Sequence, residues 1–282
     1  VLARKDGQPA LSLSDRAVEV VVDASQSMWG QIEGRSKMDN AKTTLEDVTY
    51  CLPDDMELAL RAYGNTSAPK QNNCTDSALL VPFRENNRDY IRQAIAGLRP
   101  TGQTPIAYAL NQVARDFEAA QSDRIVVLVT DGIESCGGDP VTAALTLQQQ
   151  GIVVHVIGFG LGSAADEDAS SLRAIAAASG GRYVTAGSAE ELKSALAETV
   201  ATSFSVYRGT TEVASGSLGS AGIMLLPEGD YRVQLHSTPP VEALVSLAPR
   251  DGVTLTLEKS NGEIAPFEQR DELPYTSCGS DR

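Results

Sequence analysis

Histidine is nearly absent from this sequence, with only His155 and His236 in 282 residues. No C-x-x-C pair and no His/Cys cluster occurs, which argues against a zinc site. No G-x-S-x-G word occurs either. Neither histidine has a nucleophile at a recognisable spacing, so a hydrolytic triad has no support. No stretch approaches the ~20 continuous apolar residues of a membrane-spanning helix. The apolar run at Ala17–Val22 is short and ends in Asp23. Basic residues are also scarce. Lys and Arg total 23 against 37 Asp and Glu, and 23 − 37 gives a net charge of −14. Nucleic acid and anionic membranes are bound through basic surface, so neither is expected as a partner.

What is present suffices for two domains. The length exceeds that of one typical domain, and 42% apolar residues can build a sizeable core. The four cysteines, Cys51, Cys74, Cys136 and Cys278, permit three full pairings. A disulfide among them would place the chain outside the cytoplasm, and four unreactive thiols would fit a cytoplasmic protein. The first residue is Val1 rather than Met, as it would be after removal of a signal or anchor segment or after trimming.

Residues 1–15 form an N-terminal segment, and residues 16–201 alternate strand-like with helix-like segments. The run Ala17–Val22 is β-branched, and Ala41, Leu45, Val48 and Leu52 then share one helical face. Met56–Ala62 reads as a strand. Ala78–Phe83 reads as an edge strand because Pro82 cannot donate to a ladder. Ile91, Ala94, Ile95 and Leu98 mark a second helix. A third opens at Thr104-Pro105, with Ile106, Ala109, Leu110, Val113 and Phe117 inward. Ile125–Val129 and Ile152–Ile157 are continuous apolar runs of the kind buried on both sheet faces. Helices follow from Asp139-Pro140 and through Leu172, Ile175 and Ala176, and Arg182–Thr185 is a last short strand. Ser188 with Glu191 caps a final helix. This alternation predicts an α/β fold: a doubly wound, mostly parallel six-stranded sheet with helices on both faces. Beyond it, residues 202–258 carry five short strand patterns separated by Gly/Pro turns. They predict a small all-β sandwich. Residues 259–282 are polar and turn-rich and read as a tail.

Three loops at one end of the predicted sheet collect hard oxygen ligands. They are Asp23-Ala24-Ser25-Gln26-Ser27 after the first strand, Thr101-Gly102-Gln103-Thr104-Pro105 before a helix, and Thr130-Asp131-Gly132 after the fourth strand. Ligands of such sheets bind beyond the carboxyl ends of the strands, where strand order reverses. Asp23, Ser25, Ser27, Thr104 and Asp131 supply two carboxylates and three hydroxyls there. Hard cations such as Mg²⁺ prefer such a set. Taken singly, each residue has a plainer reading: Thr104 as a helix cap, Ser25 and Ser27 as turn residues, Asp131-Gly132 as a turn.

In order and context these residues resemble the metal-ion-dependent adhesion site of von Willebrand factor type A domains. The pattern there is Asp-x-Ser-x-Ser, then a Thr, then an Asp, and all five positions match over a resemblance covering about residues 16–200. The surrounding words, Val22 to Gly30, Gly102 to Ile106 and Val129 to Pro140, resemble the bacterial secreted or periplasmic branch. The resemblance implies Mg²⁺, or else Mn²⁺ or Ca²⁺, held by Ser25, Ser27 and Thr104 directly and by Asp23 and Asp131 directly or through water. One coordination position is left for an acidic side chain of a partner protein. It further implies a non-enzymatic adhesion or interaction module outside the cytoplasm, and a Cys74–Cys136 disulfide framing the site. Cys51 and Cys278 would then be the remaining pair.

Competing readings are narrower. Some type A proteins are assembly or chaperone subunits that partner an ATPase inside cells, and disulfide status separates that alternative from the first. Asp23-Ala24-Ser25 superficially suggests an aspartyl-nucleophile phosphatase, but Ser25 stands where a second carboxylate is required. Gly158-Phe159-Gly160-Leu161-Gly162 hints at a dinucleotide loop, but the next glycine would have to fall at Ser163. Asn65-Thr66-Ser67 and Asn73-Cys74-Thr75 match glycosylation acceptors, for which the bacterial resemblance predicts no use.

Overall fold

The computed structural model describes residues 16–52, 56–67, 72–84, 86–117, 123–161, 165–200, 203–217, 224–236, 241–249, 251–260 and 263–272. These residues form two compact units that divide after Val200.

In the first unit the chain runs β1 (Arg16–Asp23), a 3₁₀ turn (Gln26–Trp29), a minimal hairpin of β2 (Gln31–Ile32) and β3 (Arg35–Ser36), and α1 (Lys37–Cys51). It continues through β4 (Glu57–Tyr63), β5 (Ser77–Arg84), α2 (Arg88–Gly97), α3 (Ile106–Val113) and β6 (Asp123–Thr130). It closes with α4 (Pro140–Gln149), β7 (Ile152–Phe159), α5 (Ala165–Ala178), β8 (Tyr183–Ala186) and α6 (Ala189–Val200). The six-stranded sheet has the order β5-β4-β1-β6-β7-β8. All neighbours are parallel except β5, which runs antiparallel to β4 at the edge and shifts register beside Pro82. The edge position follows from the missing proline N–H.

The sheet separates two apolar layers. Val18, Val20 and Val22 of β1 pack with α1, α2 and α6 through Ala41, Leu45, Ile91, Ile95, Leu192 and Leu196. Val21 joins Leu110 and Val113 of α3, Ala143 and Leu147 of α4, and Leu172 and Ile175 of α5 on the other side. This is strand alternation carried into a three-layer fold. A buried ion pair interrupts the second layer. Glu19 is fully buried and pairs with Arg61 at 3.1 Å, while Arg61 also binds Asp116. Burial, then the Asp116 charge, pushes the Glu19 carboxyl well above its ordinary pKa, against the pull of Arg61.

Helix ends follow their sequence signals with two departures. Asp139 caps α4 through the Thr142 N–H at 3.0 Å, with Pro140 in the first turn. At α6 the Glu191 N–H reaches Ser188 Oγ at 3.2 Å, and the Glu191 carboxylate accepts from the Gly187 N–H. α3, however, begins at Ile106 rather than at Thr104-Pro105, and it ends at Val113. Phe117 lies beyond that helix, packed at its core from a turn.

The second unit holds a four-stranded antiparallel sheet ordered β10-β9-β11-β12, with β9 (Ser203–Arg208), β10 (Thr211–Ser217), β11 (Gly229–Leu235) and β12 (Val241–Leu247). Val206, Tyr231, Leu235, Ala243 and Val245 are among its buried apolar residues. Two details differ from the strand pattern read in the sequence. Met224–Leu226 carry no strand, and Leu225 is exposed. The segment after residue 258 is not all tail, because β13 (Asp251–Ser260) pairs antiparallel with β14 (Glu263–Glu272). No helix among the described residues is long and apolar enough to cross a membrane.

Candidate metal centre

Three adjacent strands deliver the centre. β1 ends at Asp23, β6 at Thr130 and β4 at Tyr63, side by side at their carboxyl ends. Beyond them the backbone closes into a dense knot. The Ala24 N–H donates to the Tyr63 carbonyl, and the Gly102 N–H to the Gly64 carbonyl at 2.8 Å. The Thr101 N–H reaches the Ala24 and Gly64 carbonyls, and the Gln26 N–H reaches the Gly102 carbonyl. Two glycines make this approach possible. A Cβ on Gly64, whose φ is +68°, would lie 2.7 Å from the Gln103 carbonyl oxygen and 2.9 Å from the Ser25 nitrogen. A Cβ on Gly102 would lie 2.7 Å from the Gly64 Cα. The Asp23 loop and the Thr104 loop are therefore locked together by main chain.

On this knot the side chains converge. Asp23 is 0% exposed. Its Oδ1 accepts the Ser25 N–H at 2.8 Å, and its Oδ2 accepts the Thr130 hydroxyl at 2.7 Å. Tyr63, also buried, donates to Thr130 Oγ1 at 3.0 Å from behind. The Ser25 and Ser27 hydroxyls are 2.9 Å apart, and Ser27 donates to Asp131 Oδ1 at 2.6 Å. The other Asp131 oxygen accepts from the Lys37 ammonium at 2.9 Å. Burial, then the Asp131 charge, pushes the Asp23 carboxyl from an ordinary 3.8 up to about 6. Two carboxylates held so close and so dry disfavour their joint ionisation, which is the condition a divalent cation relieves.

The surrounding loops are braced to each other. The Glu134 carboxylate accepts the Ala107 N–H at 2.8 Å in the first turn of α3 and the Cys136 N–H at 2.7 Å. Ser135 and Thr104 exchange two hydrogen bonds, Thr104 N–H to Ser135 Oγ and Ser135 N–H to the Thr104 carbonyl. A Cys74–Cys136 disulfide joins this loop to the one after β4. Asp76 holds that second loop by accepting from Thr66 and Ser67. Burial raises the Asp76 carboxyl, but those hydrogen bonds outweigh it and leave the pKa below its ordinary value. At the rim the single tryptophan, Trp29, is 60% exposed, with its indole N–H fixed on the Pro100 carbonyl at 2.8 Å.

The family model of the von Willebrand factor type A domain matches residues 18–198. The chain belongs to this family. Among similar proteins, the uncharacterized protein YwmD of Bacillus subtilis (strain 168) is 33% identical over 190 residues, covering 64% of this chain and 84% of the relative. The type A domain also shares its fold with BatB from Bacteroides thetaiotaomicron, at a TM-score of 0.53 and 20% identity over 66% of this chain and 97% of the other. A von Willebrand factor type A protein from Catenulispora acidiphila aligns over 91% of this chain and 66% of its own, at a TM-score of 0.54 and 18% identity.

Four of the five candidate ligands of this type A domain, Asp23, Ser25, Ser27 and Asp131, stand in one cluster linked by hydrogen bonds. Thr104 is 7% exposed, and its backbone pairs with Ser135 rather than with the other four. Lys37 and Glu134 were not legible in these roles, because neither is one of the five motif positions and each acts across a fold contact. The Cys51 and Cys278 side chains lie outside the described residues. The decoys resolve structurally. His155 is buried in β7 and accepts the Arg182 N–H at 3.0 Å. His236 does have a hydroxyl neighbour, Ser205 at 3.2 Å, but Ser205 is 2% exposed and offers no accessible nucleophile.

Proposed function

We propose that the chain is a divalent-metal-dependent protein-binding module, in which Asp23, Ser25, Ser27, Thr104 and Asp131 hold Mg²⁺, with Mn²⁺ or Ca²⁺ as substitutes. The observation that carries this reading is the side-chain chain Ser25–Ser27–Asp131 beside a buried Asp23. Among the described residues no three His, Cys, Asp or Glu side chains gather. The donor set is thus two carboxylates with neutral hydroxyls, oxygen only, which suits a hard cation. Held by these residues, the ion would supply positive charge for a carboxylate of a partner protein. Asp23 and Asp131 provide the charge that retains it, and the hydroxyls orient without neutralising it further. The role read here is binding rather than turnover.

The metal domain is taken as residues 16–201, with the β-rich residues 202–258 as a separate neighbour. An extracytoplasmic location is favoured by the Cys74–Cys136 disulfide, since such bonds persist in oxidising compartments. The same bond disfavours the alternative of a cytoplasmic assembly subunit working with an ATPase.

The test is calorimetric titration of Mg²⁺, Mn²⁺ and Ca²⁺ into chelator-treated protein, with Asp23→Asn beside it. One-site binding lost in the variant is expected, followed by metal-dependent retention of acidic peptides. A folded wild type that binds none of the three ions, even with such peptides present, overturns the reading.

A further inference from the structure

We infer that Lys37 is a resident cation of the metal centre, which weakens divalent-ion binding and gives the loaded centre the positive charge that selects an acidic ligand. This rests on the metal-binding reading above.

The charge count motivates it. Asp23 and Asp131 together carry −2, and the serine and threonine ligands carry none. A divalent ion on these five residues alone yields a neutral centre, set in a protein of net charge −14. Such a centre has little electrostatic pull on a carboxylate. Lys37 changes the sum to +1. Its ammonium lies 2.9 Å from Asp131 Oδ2, while Ser27 occupies Oδ1. One edge of Asp131 is thus held by a fixed charge, and the other edge faces the serine hydroxyls.

The placement of Lys37 is built, not incidental. It is the first residue of α1, where a cation opposes the helix dipole, so helix stability does not explain it. Its N–H donates to the Gly30 carbonyl at 2.7 Å. Its stem runs between two glycines. A Cβ on Gly30 would come within 3.3 Å of the lysine Cε, and one on Gly160 within 3.1 Å. Gly160 has φ +63° and closes the loop after β7. The Lys37 side chain is 15% exposed and that of Asp131 0%. The pair is therefore shielded, and surface screening does not dissolve it. An ammonium and a divalent ion that share one carboxylate repel each other, which sets the direction of both effects.

Lys37→Gln is the primary variant, because its amide still donates to Asp131 while the charge is removed. Lys37→Arg retains the charge, and Lys37→Met controls for packing. Mn²⁺ is titrated into each metal-free full-length protein by calorimetry, and acetate is then titrated into each Mn²⁺-loaded form. Thermal melting with and without Mn²⁺ is followed in parallel. Lys37→Gln should bind Mn²⁺ at least tenfold tighter, gain more melting temperature from Mn²⁺ than wild type, and bind acetate several-fold more weakly. Lys37→Arg should stay near wild type in all three. Equal or weaker Mn²⁺ binding by both neutral variants, with wild-type Mn²⁺ binding intact, refutes the role of Lys37 and leaves the metal site standing. Absence of Mn²⁺ binding in wild type and every variant instead removes the metal reading itself, and this inference with it. Mn²⁺ binding that appears only in the neutral variants supports the inference in its strongest form.

Discussion

Asp23→Asn should stabilise the metal-free protein while abolishing its metal binding. The Asp23 carboxyl is fully buried, and burial together with the Asp131 charge moves its pKa from 3.8 to about 6. An acid whose folded pKa is raised binds its proton more tightly in the folded state. Stability is then greatest below pH 3.8 and is lost as the pH rises through 6. At about 1.36 kcal/mol per pH unit, an ionised Asp23 costs the metal-free fold about 3 kcal/mol above pH 7. Asparagine removes that cost and keeps the hydrogen bonds. Its oxygen still accepts the Ser25 N–H, and its amide donates to Thr130 Oγ1. The Thr130 hydroxyl then donates to the Gly132 carbonyl, already 2.9 Å away. Weaker neutral hydrogen bonds return about 1 kcal/mol, so a net gain of about 2 kcal/mol is expected at pH 8. For a domain of this size that is a rise of about 4–8 °C in melting temperature. Urea and thermal unfolding in chelator at pH 8 and pH 5 measure it, and the advantage should fall below about 1 kcal/mol at pH 5. A variant less stable than wild type at pH 8 would show that Asp23 is not held against its charge, and the argument for a pre-strained cation site would collapse.

Other perturbations probe the frame and the rim. Replacing Cys74 and Cys136 by Ser frees a loop of sequence separation 62, and loop entropy puts the loss at about 4 kcal/mol; a loss under about 1 kcal/mol in denaturant melts would contradict the entropic account. Gly64→Ala places a Cβ 2.7 Å from the Gln103 carbonyl at φ +68°. It should cost about 2 kcal/mol or more and weaken Mn²⁺ binding, and calorimetry showing unchanged affinity would refute the claim that this backbone knot sets the site. Trp29→Ala should leave Mn²⁺ affinity intact but weaken binding of a protein partner by about 2 kcal/mol, as exposed, fixed tryptophans do at interface centres; equal retention of partner by wild type and variant would remove Trp29 from the contact surface.

The sheet was legible because its strands announce themselves. Ile125–Val129 is continuous apolar sequence, and Val126, Val127, Leu128 and Val129 are fully buried. Pro82 marked its strand as an edge, and the strand is one. The Asp23 and Asp131 loops could be placed together because both follow parallel strands at the order reversal around β1, and the Thr104 loop packs on them through main-chain bonds. What was hidden depends on contacts that no local pattern encodes. Lys37 meets Asp131 across 94 positions, from a helix start where its type carries no signal. Glu134 binds the start of α3 from a different loop, at the Ala107 N–H, a contact that no local pattern announces. The β13–β14 hairpin escaped because Glu263–Glu272 has few apolar residues to alternate. Its pairing is a backbone ladder that composition does not reveal.

The proposal that an acidic protein binds carboxylates looks contradictory only when net charge is taken as the relevant quantity. At physiological ionic strength, exposed charges are screened beyond about 8 Å, so most of the −14 acts weakly at the centre. What acts there is the local set: two buried carboxylates, neutral hydroxyls, one shielded ammonium and, in the proposed state, a divalent ion. Neutral hydroxyls from Ser25, Ser27 and Thr104 would bring oxygen without charge, and so would hold the proposed ion without quenching it. Lys37 then adds a charge that cannot diffuse away. The net acidity of the surface and the positive character of the centre therefore have separate roles. In the proposed state, a partner able to place a carboxylate at the ion would gain local attraction at contact that screening of the distant surface charges leaves intact.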